Sequence, residues 1–298
     1  MPRASTNGIE LEYETFGSEE DPPLLLVMGL GAQMISWEDD FCEALVGRGF
    51  FVIRFDNRDV GLSTKVDFGE VDLLAAITAA LAGETASAPY LLSDMASDAW
   101  GLLDVLEIER AHIVGASMGG MVAQTMAIQH PERVLSLTSI MSMTGEQPFG
   151  QPKPEVLPVL LNRAPSEREA NIAFNVETSR AISSPEFFDE NRARAKAERA
   201  YDRCYYPKGI GHQLMAILAS GSRDEALRQL DVPTLVMHGT ADPLVTPSGG
   251  EHTAEVLQGS ELILFEGMGH DLPAHYWSQI IDAICAVAAR AETATSEV

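Results

Sequence analysis

Positive charge is scarce in this chain: 20 Lys and Arg stand against 44 Asp and Glu across 298 residues, a formal net charge of −24. Such a surplus repels phosphate backbones and anionic membrane surfaces, so nucleic acid and membrane are excluded as expected partners. The charge itself reads as a solvated surface and implies nothing about substrate. Cysteine is equally sparse. Cys42, Cys204 and Cys285 are widely spaced and odd in number, forming neither a C-x-x-C pair nor a disulfide framework. Long apolar runs are missing as well. The first residues carry no apolar signal-like stretch, and no later run approaches the roughly 20 residues that cross a bilayer. The expected setting is cytoplasmic. Internal repeats and low-complexity tracts are absent.

What is present is a hydrophobic content of 46%, ample for a large core. Ile9, Leu11 and Tyr13 alternate with Glu10, Glu12 and Glu14, the period of a half-buried strand near a sheet edge. The runs at 24–28, 51–55, 112–114, 234–237 and 262–265 are instead nearly continuously apolar, as strands covered on both faces are. Between Leu91 and Leu106 the apolar residues fall on one helical face. Strands alternating with helices predict an α/β fold with a doubly wound, mostly parallel sheet, whose ligand sites lie beyond the strands' carboxyl ends. The alternation stops between about 146 and 228. That stretch is expected to be a helical cap on a core made of 1–145 and 229–298. Its charge run, Glu186 to Arg203, places acids early and bases late, matching a helix dipole and reading as a solvated face. The tail from Ala291 to Val298 is small and polar, and is expected to fray.

Gly115-Ala116-Ser117-Met118-Gly119 follows one of the apolar runs and precedes a helical pattern. A serine at a sharp strand-to-helix turn is a nucleophile elbow candidate, although the pentapeptide alone is weak evidence. A serine hydroxyl needs a base to take its proton and an acid to orient that base. His270 follows the 262–265 run, and Asp242 follows the 234–237 run, one loop, helix and strand unit earlier. Both therefore belong at the edge where Ser117 sits. The chain order Ser117, Asp242, His270 is far more specific than any one of them. His238 is a weak rival for the base; His112 and His130 read as structural, and His212, His252 and His275 as surface or packing residues. The backbone N–H groups of Met118 and Leu30 are the expected oxyanion donors, each worth about 3 kcal/mol of barrier.

These segments resemble the α/β-hydrolase superfamily over nearly the whole chain. Asp56-Asn57-Arg58-Asp59-Val60-Gly61-Leu62-Ser63 is similar to its D-x-R-G-x-G-x-S loop, His130 to Val134 to the segment after the nucleophile helix, and Gly239 to Asp242 to the acid loop. Met28 stands where many members have histidine, and Asp59 where glycine is usual. With these departures the chain is most similar to the aclacinomycin methylesterase-like branch. The resemblance implies a cofactor-free, metal-free serine carboxylesterase acting on methyl or other small esters. It also implies a pocket between cap and sheet, for which Met28, Met34, Trp37, Met141, Phe149 and Met268 are candidate lining residues. A carbon–carbon bond hydrolase, lyase or perhydrolase using the same triad remains open, as does a slow-turnover ligand receptor.

Overall fold

The run 111–116 is buried at every position and has a parallel neighbour on each side. A continuous apolar segment must take such a place when helices cover both faces of a sheet. The computed structural model describes residues 2–68, 87–162 and 164–296. Within them, eight strands form one sheet in the order β1-β2-β4-β3-β5-β6-β7-β8. They are β1 (Arg3–Thr6), β2 (Ile9–Phe16), β3 (Pro23–Val27), β4 (Phe51–Phe55), β5 (Ala111–Ala116), β6 (Val134–Ile140), β7 (Thr234–Gly239) and β8 (Glu261–Phe265). The β1–β2 and β2–β4 pairs are antiparallel, and all others are parallel. The carboxyl ends of β3 to β8 therefore share one edge.

Alternate residues of these strands feed two cores. Leu25, Val27, Ile53 and Ile113 face one cluster; Leu24, Leu26, Val52 and Val114 face the other. Helices α1 (Asp39–Val46), α2 (Leu92–Val105) and α3 (Met118–Gln129) are followed by α4 (Leu157–Leu161), α5 (Arg168–Ile182), α6 (Glu190–Arg203), α7 (Lys208–Ser220) and α8 (Asp224–Leu227). Then come α9 (Ser248–Val256) and α10 (Trp277–Ser296). Apolar residues of α2 and α3 fill the first cluster, whereas Phe41 of α1 and Ile280 of α10 fill the second.

Several particulars differ from the sequence reading. β1 forms the edge outside β2 and pairs with it through residues 3–6. β6 was hidden by its Ser136, Thr138 and Ser139, all buried. β8 lies at the opposite edge, so Leu264 is 41% exposed rather than covered. Helix α10 continues to Ser296, through most of the expected frayed tail; residues 297–298 lie outside those described. Helix α6 buries no residue, yet it is not simply a solvated face. Arg192 and Lys196 pair with Glu38 at 2.5 and 2.6 Å, and Arg203 reaches the buried Asp56 at 2.7 Å. Its basic side chains hold the helical segment to the sheet domain.

Candidate active site

Ser117 joins the end of β5 to the start of α3 with φ 57° and ψ −122°, outside the conformations a serine ordinarily adopts. Strain of this kind costs on the order of 1–3 kcal/mol and persists only where the surroundings enforce it. Here they do. A Cβ on Gly115 would stand 2.1 Å from the Gly119 carbonyl oxygen, and one on Gly119 would stand 2.1 Å from that of Val27. Both glycines are required because β3, β5 and α3 run backbone against backbone. The Ser117 N–H donates to the Ile140 carbonyl at 2.9 Å, and the Ser142 hydroxyl donates to the Ser117 carbonyl at 2.8 Å. The end of β6 thus pins the turn from behind.

His270 lies on the loop after β8, and Asp242 on the loop after β7. Ser117 Oγ is 2.9 Å from His270 Nε2, and His270 Nδ1 is 2.7 Å from Asp242 Oδ2. A carboxylate can only accept, so Nδ1–H donates to Asp242 and Nε2 is left to accept the serine proton. The other Asp242 oxygen accepts N–H bonds from Leu244 and Val245 at 2.9 and 3.0 Å. Asp242 is fully buried, and burial by itself would raise its pKa. The charge of a protonated His270, with hydrogen bonds from His238 and His270, outweighs burial and holds it down to about 2. His238 stands behind the acid: its Nε2 donates to the Val245 carbonyl at 2.8 Å, bracing the acid loop, and lies 3.5 Å from Asp242 Oδ2. The other histidines serve structure. His112 meets Ser136 at 2.8 Å, His130 the exposed Glu132, and His275 stacks on Phe187. His212 and His252, expected at the surface or in packing, are buried partners of Asp59 and Asp224 at 2.9 and 2.7 Å.

The loop after β3 passes beside the serine. A Cβ on Gly29 would lie 3.1 Å from Ser117 Cβ and 3.5 Å from its Oγ. Neither Leu30 N–H nor Met118 N–H hydrogen-bonds to another backbone or side-chain group among the described residues. The loop around Leu30 is tied down on both sides. Asn57 donates to the Met28 carbonyl at 2.9 Å, and Gly31 N–H donates to Gln213 of α7 at 2.8 Å. Gln33 donates to the carbonyls of Ala200 and Cys204, at the end of α6. Asp59, which replaces a usual glycine, keeps the glycine-like φ of 67°. Its carboxylate accepts from Val66 N–H at 2.7 Å and from the His212 ring at 2.9 Å, which links this loop to α7.

Of the candidate lining residues, Met28, Trp37, Met141 and Met268 belong to one apolar cluster with Ala116, which directly precedes the serine. Met34 is fully buried, and its N–H donates to Asp56 at 2.8 Å. Phe149 stands apart, stacked on His252 at 3.8 Å beside α8. Sequence reasoning missed Ser142, Gln213 and Ser184, whose hydroxyl meets the neighbour of His270. Nothing in their local sequence distinguishes them from ordinary polar residues.

Comparison with known proteins agrees with this architecture. The rhodomycin D methylesterase of Streptomyces peucetius is 31% identical over 310 residues, covering 96% of this chain and 98% of that protein. The 3-oxoadipate enol-lactonase 2 of Acinetobacter baylyi is 24% identical, covering 87% and 85%. An esterase from Rhodococcus sp. superposes with a TM-score of 0.74 at 20% identity, covering 96% of this chain and 98% of its own. The family model for the alpha/beta hydrolase fold matches residues 22–273, and with that match the chain belongs to the α/β-hydrolase family.

Proposed function

We propose that the protein is a serine carboxylic ester hydrolase, with Ser117 as nucleophile, His270 as base and Asp242 as its orienting acid. The observation that carries this is the unbroken relay from Ser117 Oγ through both nitrogens of His270 to Asp242. Ser117 Oγ attacks the ester carbonyl as its proton passes to His270 Nε2, giving a tetrahedral oxyanion. The N–H groups of Leu30 and Met118 are the donors to that oxyanion. Collapse expels the alcohol, which takes the proton from His270, and leaves an acyl-enzyme. Water then attacks the acyl carbon as His270 takes its proton, and a second collapse returns the proton to Ser117 and frees the acid. No step calls for a metal or cofactor.

The named activity of the similar Streptomyces enzymes is methylesterase, which favours a methyl ester over the carbon–carbon bond, perhydrolase and receptor readings. On this reading the acyl portion is the larger part of the substrate, held by the apolar groups Met28, Trp37, Met141 and Met268 that cluster with Ala116. Residues 146–228 form the cap over the site. Among the described residues no helix is long and apolar enough to cross a membrane. Ser117→Ala is expected to abolish hydrolysis of p-nitrophenyl butyrate and labelling by a fluorophosphonate probe, with an unchanged circular dichroism spectrum. Retained turnover would remove Ser117 from the mechanism. A panel of methyl esters with acids of increasing size tests the substrate class: rates should rise with acid bulk.

A further inference from the structure

His270 and the residue on either side of it all bond to one place, the last residue of α5 and the segment just after it. His270 N–H donates to the Ile182 carbonyl at 2.7 Å. On one side of it, Gly269 N–H donates to Ser184 Oγ at 2.9 Å. On the other, the Asp271 carboxylate accepts from both Ser184 N–H at 2.9 Å and Ser184 Oγ–H at 2.6 Å. Ser184 is fully buried. Its one hydroxyl accepts from Gly269 and donates to Asp271, so both hydrogen-bonding roles are used and its rotamer is fixed. A Cβ on Gly269 would stand 2.4 Å from the Ser183 carbonyl carbon, so the two strips of backbone lie in direct contact.

We propose that Ser184 and Asp271 are positioning residues for His270, which makes the helical segment after β6 part of the catalytic apparatus. Among the described residues the imidazole itself is bonded only to Ser117 and Asp242, and those bonds fix its ring once its backbone is placed. What places that backbone is the Ser184–Asp271 clasp together with the Ile182 carbonyl. A charged acceptor makes the clasp strong: charge-assisted bonds are roughly twice as strong as neutral ones. Without the clasp the loop can drift by a fraction of an ångström. A misplacement of about 1 Å in a reacting group can cost about 100-fold in rate, so a smaller drift costs less than that. Displacement of the segment after α5 during substrate entry would also carry His270 away from Ser117, so turnover requires this segment to be seated.

The inference rests on the serine-hydrolase reading, and the two fail separately. If wild-type protein does not label at Ser117 or hydrolyse p-nitrophenyl butyrate, the reading itself falls. Given an active wild type, Ser184→Ala and Asp271→Ala should each lower kcat about tenfold, with KM within twofold and the fluorophosphonate labelling rate of Ser117 reduced in parallel. Asp271→Asn keeps an oxygen acceptor for Ser184 and should recover most of the loss seen in Asp271→Ala. Unchanged kcat in either alanine variant overturns the proposal, as does an equal loss in Asp271→Asn and Asp271→Ala. Should Ser184→Ala not fold, a folded Asp271→Ala protein with wild-type kcat and labelling rate overturns it too.

Discussion

In the proposed mechanism Asp242 must remain charged to orient His270, and its surroundings hold its pKa well below neutral pH. Its pKa falls from an ordinary 3.8 to about 2, with the favourable bonds and charge overcoming burial. A depressed carboxylate contributes stability that is fully present above its unfolded pKa and is lost as pH falls through the folded one. The window is therefore about pH 4 down to about 2, and the contribution at neutral pH is about 2 kcal/mol. The stability gap between wild type and Asp242→Asn, measured by urea unfolding, should narrow by about that amount as pH falls from about 4 toward 2. A gap that does not change with pH would show that ionisation of Asp242 contributes nothing. Asp242, Ser117 and His270 were legible in the sequence because each follows an apolar run and their order suits one topology. Ser184 and Gln213 were not, since what marks them is a partner far away in sequence, at Asp271 and Gly31.

At the scale of the elements, the elbow depends on β3 and α3 touching through Gly119. A methyl group there would meet the carbonyl oxygens of Val27 and Met28 at 2.1 and 2.9 Å, and these belong to a central strand and the loop that follows it. Neither can yield cheaply. Gly119→Ala should cost about 3 kcal/mol, at the upper end for overpacking, whereas Gly47→Ala, with no neighbour nearer than 3.4 Å and an ordinary φ, should cost little. The midpoints of urea unfolding compare the two directly, and equal midpoints would refute the close-approach account. The same packing explains which strands could be read from sequence. β3, β4, β5 and β7 are buried and mostly apolar because helices cover both faces. β6 occupies an equally interior place, but His112 and Gln124 give Ser136 and Ser139 buried partners, which breaks the apolar run that sequence reasoning sought. β1 is a four-residue edge strand whose register is set by β2, a pairing no local pattern announces.

The whole molecule carries 24 more acidic than basic groups, and that excess works against compactness. Two salt effects oppose each other. Added salt weakens the exposed ion pairs, such as Arg168 with Asp202 and Arg180 with Glu190, but such solvated pairs contribute little to stability. The Arg203–Asp56 pair, whose carboxylate is fully buried, is screened far less. Repulsion among the unmatched acids acts over longer distances than any pair. It is felt at 10 mM salt, where the Debye length is about 30 Å, and is largely removed at 150 mM, where it is about 8 Å. Relief of repulsion should therefore win, and Tm should rise as NaCl is raised from 10 to 150 mM. Each 1 kcal/mol gained would move Tm by about 2 °C in a chain of this size. Scanning calorimetry across that range decides the matter: a falling Tm would mean that the pairs joining α6 to the sheet domain, through Glu38 and Asp39, outweigh the surplus charge.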